Sequence, residues 1–89
     1  MKDYARAIAD YDKALELKPN HFFAYIHRGL GYIETENYSQ ALSDAEKAVE
    51  LDLNNANAYQ LRGLCYQMLG ENAKAEADFA KARALGYSG

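Results

Sequence analysis

A period of 34 residues governs this chain. The stretch Ala24-Tyr25-Ile26-His27-Arg28-Gly29-Leu30-Gly31-Tyr32 returns as Ala58-Tyr59-Gln60-Leu61-Arg62-Gly63-Leu64-Cys65-Tyr66. Overlaid, residues 21–54 and 55–88 agree at 11 of 34 positions, where roughly two would agree by chance. The same offset carried backwards aligns residues 1–20 with 35–54, with eight identities that include Tyr4/Tyr38, Ala7/Ala41, Asp10/Asp44 and Ala14/Ala48. Self-similarity at a fixed period marks a stacked-repeat architecture. The 89 residues therefore divide into a half repeat (1–20) and two full ones (21–54 and 55–88), within one domain.

Each segment carries apolar residues at helical spacing. Five helices are expected, over residues 3–17, 22–35, 38–51, 56–69 and 72–85. Asp3, Asn37 and Asn54 or Asn55 are the expected N-caps, with Gln40 completing a capping box at Asn37. Pro19 ends the first helix, because the residue before a proline leaves the α region. Gly70 and Gly86 close the fourth and fifth as left-handed residues. Connections this short force antiparallel neighbours.

Mid-helix glycine costs about 1 kcal/mol against alanine. Gly29 and Gly63 each share a narrow arc with two tyrosines, Tyr25/Tyr32 and Tyr59/Tyr66. They are expected to let an opposing backbone approach, facing Ala41, Ala48, Ala75 and Ala82. Arg28 and Arg62 alternate along the chain with Asp10, Asp44 and Asp78. That order predicts a ladder in which each arginine lies between carboxylates of flanking helices, in bidentate geometry.

Tyr25, Arg28, Gly29, Tyr32, Ala41, Ala45 and Ala48 in one unit, and Tyr59, Arg62, Gly63, Tyr66, Ala75, Phe79 and Ala82 in the next, resemble the tetratricopeptide repeat (TPR) family. Ala7, Tyr11, Ala14 and Pro19 match the second half of a leading repeat. The departures are Ala45 in an aromatic slot, Leu53 and Tyr87 in proline slots, and tyrosine for tryptophan. The resemblance implies an all-α fold, a right-handed superhelical stack of antiparallel helix hairpins. It also implies a scaffold that takes up a peptide of a partner protein in a concave groove. The groove would be lined by Phe23, Ile26, His27, Leu30, Ile33, Asn57, Gln60, Leu64, Gln67 and Met68. Gln60, Asn57 and Gln67 would bond the peptide backbone; Phe23, Ile26, Leu30 and Leu64 would take apolar side chains. One subclass grips a chaperone's C-terminal carboxylate with Lys, Asn and Arg. The matching slots here contain no Lys or Arg.

The two ends differ. Ile8 and Leu42 align with Glu76, and Leu15 and Val49 align with Arg83. The charged pair predicts a solvent-facing terminal surface, with the array ending near Gly89. The first helix keeps its apolar stripe without a preceding partner, so Tyr4, Ala7, Tyr11 and Ala14 are expected to be partly bare. The alternative function is therefore a self-associating module, dimerising or exchanging helices through that face.

Net charge is −3 and no strong basic cluster is present, which argues against nucleic acid or an acidic membrane as partner. No apolar run reaches a membrane span. The compartment is left open, with the cytoplasm favoured. His21 and His27 lie about 240° apart on a helix and cannot form an i,i+4 metal pair. Gly29 and Gly31 form a mid-helix GxG, a packing feature and no phosphate cradle. Ser39, Ser43 and Ser88 have no histidine close in sequence. Neither an enzyme nor a cofactor or metal is expected. Cys65, the single cysteine, is read as a small buried hydrophobe.

Overall fold

The computed structural model describes residues 3–87. Ser88 and the expected array end at Gly89 lie outside them. Five helices follow in order: α1 (Tyr4–Leu17), α2 (Phe22–Glu34), α3 (Tyr38–Leu51), α4 (Ala56–Met68) and α5 (Asn72–Ala84). α2 and α3 form one hairpin and α4 and α5 the next, while α1 packs on α2, α3 on α4, and α2 reaches α4. The described residues form an all-α solenoid of stacked hairpins; apolar faces on α1, α2 and α3 drive it, while α5 buries only the small stripe Ala75 and Ala82 with Asp78.

The helix ends explain where each turn falls. Asp3 accepts a hydrogen bond from the Arg6 amide at 3.0 Å, and Asn55 accepts one from the Asn57 amide at 2.9 Å. His21, not foreseen as a cap, does the same for Ala24 through Nδ1 at 3.3 Å. The expected capping box at Asn37 does not form: its Nδ2 donates to Thr35 Oγ1 at 2.8 Å instead. That turn is held by the backbone, with Asn37 N–H bonding the Tyr32 carbonyl at 2.7 Å. Such a closure needs a left-handed residue between. Gly70 supplies it after α4 at φ +82°, and Glu36 takes the equivalent place after α2 at φ +63°.

The core is made of small residues at helix crossings. Ala41, Ala45, Ala48, Ala58 and Ala82 are fully buried, with Cys65 among them. Ile26, Leu61, Val49 and Tyr59 complete it. Small side chains let backbones come close, so dispersion contacts accumulate over a short distance. Burial pushes the Cys65 thiol up to about 12, with Asp44 and Glu46 adding to the shift. The thiolate is therefore scarce at neutral pH, which suits a packing role. Leu15 and Val49 are buried and Ile8 and Leu42 half-buried, whereas Arg83 and Glu76, which take their respective slots in α5, are exposed.

Gly29 and Gly63 both face inward, and they meet different things. A Cβ on Gly29 would lie 2.9 Å from Leu61 Cδ2, 3.5 Å from Asp44 Cβ and 3.6 Å from the Ala41 carbonyl oxygen. A Cβ on Gly63 would lie 2.6 Å from the Phe79 ring. At Gly29 the Ala41 backbone is in ordinary contact but the tightest neighbour is the Leu61 side chain, so the expected backbone approach is met there only in part. At Gly63 an aromatic ring fills the pit, which corrects the expectation there.

Candidate functional site

Each hairpin is locked by one arginine. Arg28 donates from Nε to Asp44 Oδ2 at 2.9 Å and from Nη2 to Oδ1 at 2.6 Å. Arg62 binds Asp78 in the same way, at 2.8 Å for both bonds. Both carboxylates are almost wholly buried, so unpaired they would be costly. Each guanidinium also lies near two tyrosine rings: Tyr25 and Tyr32, both 5.8 Å from Arg28, and Tyr59 and Tyr66, 5.5 and 6.0 Å from Arg62. Such placement favours the cation further. Hydrogen bonds to Asp44 raise the Arg28 pKa above its ordinary value against the opposing effect of burial, and Asp12 adds to them. Asp78 acts likewise on Arg62.

The ladder expected from the sequence is therefore corrected. Each bidentate pair closes a single hairpin, and Asp44 is not shared with Arg62. Arg28 alone reaches across to α1, where its partner is Asp12 at 2.7 Å and not Asp10, which is exposed. A second tie was missed. The Tyr25 hydroxyl donates to the Pro19 carbonyl at 2.9 Å, and the Tyr59 hydroxyl to the Leu53 carbonyl at 2.9 Å. What repeats is the carbonyl, which explains why Leu53 serves as well as Pro19. The constant six-residue separation was the available signal.

These locks consume both arginines of the central helices and leave the other face of α2 and α4 free. A cleft of about 270 Å³ runs between them, lined by Ile26, His27, Leu30, Asn57, Gln60, Leu61, Leu64 and Tyr87. Ile26 and Leu61 are its buried floor, and Leu30 is 41% exposed at its edge. Asn57 and Gln60 bring amide donors and acceptors. Tyr87, which arrives from beyond α5, was not foreseen. Of the other candidates, Ile33 packs against the core. Phe23, 58% exposed, rests edge-on against Phe22 with ring centroids 5.3 Å apart. Gln67 and Met68 are exposed and line neither this cleft nor the one described next.

The second cleft, of about 390 Å³, lies between α1 and α2 and is lined by Tyr4, Ala7, Tyr11, His27, Leu30, Gly31 and Glu34. Ala14 is half-buried outside it. The two clefts adjoin at His27 and Leu30. There the His27 ring stacks on Tyr11, with centroids 5.7 Å apart and planes inclined by 18°. Neither cleft is lined by Lys or Arg. Among the described residues no group of three or more His, Cys, Asp or Glu side chains could hold a metal ion. No helix among them is long and apolar enough to cross a membrane.

Comparison with known proteins follows the same lines. One tetratricopeptide-repeat family model matches residues 1–21 and 24–55, and another matches 45–77. None of the curated proteins matches the chain. Among solved structures, the second TPR of Spaghetti (RPAP3), bound to the HSP90 peptide SRMEEVD, is 27% identical with a TM-score of 0.89, and the match covers 92% of this chain and 76% of that one. The Arabidopsis OM64 TPR domain is 30% identical with a TM-score of 0.90, over 93% of this chain and 69% of that one. MamA from Desulfovibrio magneticus RS-1, residues 41 to the end, is 36% identical with a TM-score of 0.87, over 94% of this chain and 48% of that one. With its helix pairs, buried small residues and family-model matches over more than half its length, the chain belongs to the tetratricopeptide-repeat family.

Proposed function

We propose that this chain is a protein-interaction scaffold that binds a peptide segment of a partner in the cleft between α2 and α4. The carrying observation is that cleft itself: an apolar floor of Ile26 and Leu61, apolar walls of Leu30 and Leu64, and two amides at Asn57 and Gln60. Such a mixture suits a peptide that buries one or two apolar side chains while its backbone bonds the amides. Two TPR domains of Spaghetti, 27% and 26% identical to this chain, were solved bound to an HSP90 peptide, which supports the peptide-binding mode. That peptide, SRMEEVD, is acidic, and the cleft here has no lining cation to neutralise it. The segment bound by this chain is therefore one with apolar anchors and few carboxylates. Residues 1–20, 21–54 and 55–88 act together as one scaffold of two and a half repeats.

Titration calorimetry tests this reading. A panel of apolar-anchored peptides is compared with SRMEEVD, on the native chain and on Leu64→Glu. The expected result is saturable binding of apolar-anchored members, lost in Leu64→Glu, with SRMEEVD binding weakly or not at all. Tighter binding of SRMEEVD, or binding indifferent to Leu64→Glu, would overturn it.

A further inference from the structure

One side chain can change the charge of the α2–α4 cleft. The described lining holds apolar groups, two amides and a tyrosine, with His27 beside them and no Asp, Glu, Lys or Arg. Of those residue types only histidine changes charge between about pH 5 and 8. His27 is exposed, and its ring stacks on Tyr11 of α1 with centroids 5.7 Å apart. A tyrosine face accepts an imidazole or an imidazolium, so the ring keeps its place when it gains a proton. His21 spends Nδ1 on the Ala24 amide. No hydrogen bond among the described residues occupies the His27 ring, so both its nitrogens are open to a ligand. The ionisable groups that line the two clefts with it are Tyr4 and Tyr11 from α1, Glu34 from α2, and Tyr87 from beyond α5. α4 brings none, and no described residue of α3 or α5 lines either cleft. Arg28, next in sequence, lines neither and is held by Asp44 and Asp12.

We infer that His27 is the specificity-determining residue of the α2–α4 cleft, admitting a carboxylate beside the peptide's apolar anchor when its ring is protonated and rejecting it when the ring is neutral. This rests on the peptide-binding reading above and names the ligand more closely. With a neutral ring, a carboxylate entering between Ile26, Leu30 and Leu64 gives up water and gains no cation, so it is penalised. With a protonated ring, the same carboxylate gains a charge-assisted hydrogen bond at the edge of the cleft. The ligand is a segment with one apolar anchor and a carboxylate next to it, from an acidic side chain or a chain end. It is taken up in mildly acid solution and released near pH 8. A segment with the anchor alone binds alike at both. A lysine or arginine in this place would hold carboxylates at every such pH, whereas histidine makes the choice reversible.

The test is fluorescence anisotropy at about pH 5.5 and about pH 8, between which peptide carboxylates stay ionised. Three peptides labelled at the N-terminus share one leucine-anchored sequence. The first is uncharged with an amidated end, the second adds one Glu beside the anchor, and the third is the first with a free carboxyl end. The native chain is expected to bind the second or the third about tenfold tighter at the lower pH, the size of one charge-assisted pair. Which of the two gains tells a side-chain carboxylate from a chain end. The first should bind equally at both. His27 is exposed, so its replacement leaves the fold intact: His27→Gln should abolish the gain, and His27→Lys should bind the carboxylate peptide tightly at both pH values. A gain that survives in His27→Gln, or carboxylate binding that ignores pH while the uncharged peptide binds, would overturn the role of His27 and leave the cleft itself standing. No binding of any peptide at either pH would overturn both.

Discussion

The two hairpins share one plan and close it differently. In α4–α5 the pit at Gly63 is filled by Phe79 of the same hairpin, and among the described residues Arg62 pairs with Asp78 alone. In α2–α3 the aromatic slot holds Ala45, and the pit at Gly29 is filled by Leu61 of the next hairpin. Arg28 there takes a second carboxylate, Asp12, from the preceding helix. One hairpin is thus sealed within itself and the other is tied to both neighbours. The lesson is that a repeat's packing slots are volumes to be filled, and the chain satisfies the same volume from within a repeat or from the next one.

The largest effect that could break this comparison lies at the buried carboxylates. Asp78→Ala strips Arg62 of the one carboxylate it pairs with among the described residues and is expected to cost about 3 kcal/mol in urea unfolding. Asp44→Ala should cost less, because Asp12 still holds Arg28. The reverse order would mean that the cross-helix bond to Asp12 contributes nothing. Next come the pits. Gly63→Ala drives a methyl into the Phe79 ring and should lose about 1–3 kcal/mol. Gly29→Ala meets only the flexible end of Leu61 among its contacts under 3 Å. Part of its cost is offset by the better helix propensity of alanine, about 1 kcal/mol. Thermal melts of both, with Phe79→Leu as a rescue of Gly63→Ala, sharpen the distinction.

Smaller still is the turn after α2. Glu36→Gly gives that turn the residue its counterpart has at Gly70, and should stabilise by about 0.5–1 kcal/mol. A melting temperature unchanged or lowered would contradict the strain assigned to φ +63°. Last is an alkaline effect from Cys65. Its folded pKa is raised from 9.0 to about 12 by burial, so the folded chain keeps a proton that the unfolded chain releases. Stability is unaffected below pH 9 and falls as pH rises from 9.0 to about 12. Melting of Cys65→Ala across that window should decline less steeply than the native chain; equal slopes would contradict it.

Most of the fold was legible because it follows from local rules. Apolar spacing, Pro19, Asp3 and Gly70 placed all five helices, with ends off by one residue at most. What could not be read was anything the period does not copy. Asp10 looked like the partner of Arg28 because it is the periodic twin of Asp44. Yet Arg28 reaches α1 from a neighbouring repeat, along a different line, and meets Asp12 instead. The position equivalent to Asp12 is Glu46, which is exposed and makes no salt bridge among the described residues. In the cleft, Ile26, His27, Leu30, Asn57, Gln60 and Leu64 came together as the helical arc required. Ile33 turned into the core and Tyr87 joined from outside the arc, because both depend on how hairpins stack.

That each hairpin is held shut by its buried arginine–aspartate pair is tested most directly by a double-mutant cycle on Arg62 and Asp78, read by urea unfolding. Arg62→Met and Asp78→Leu alone should each lower stability strongly, while the double variant, with two apolar side chains in the same space, should regain most of the loss. Two single losses near zero, or losses that simply add in the double variant, would contradict it.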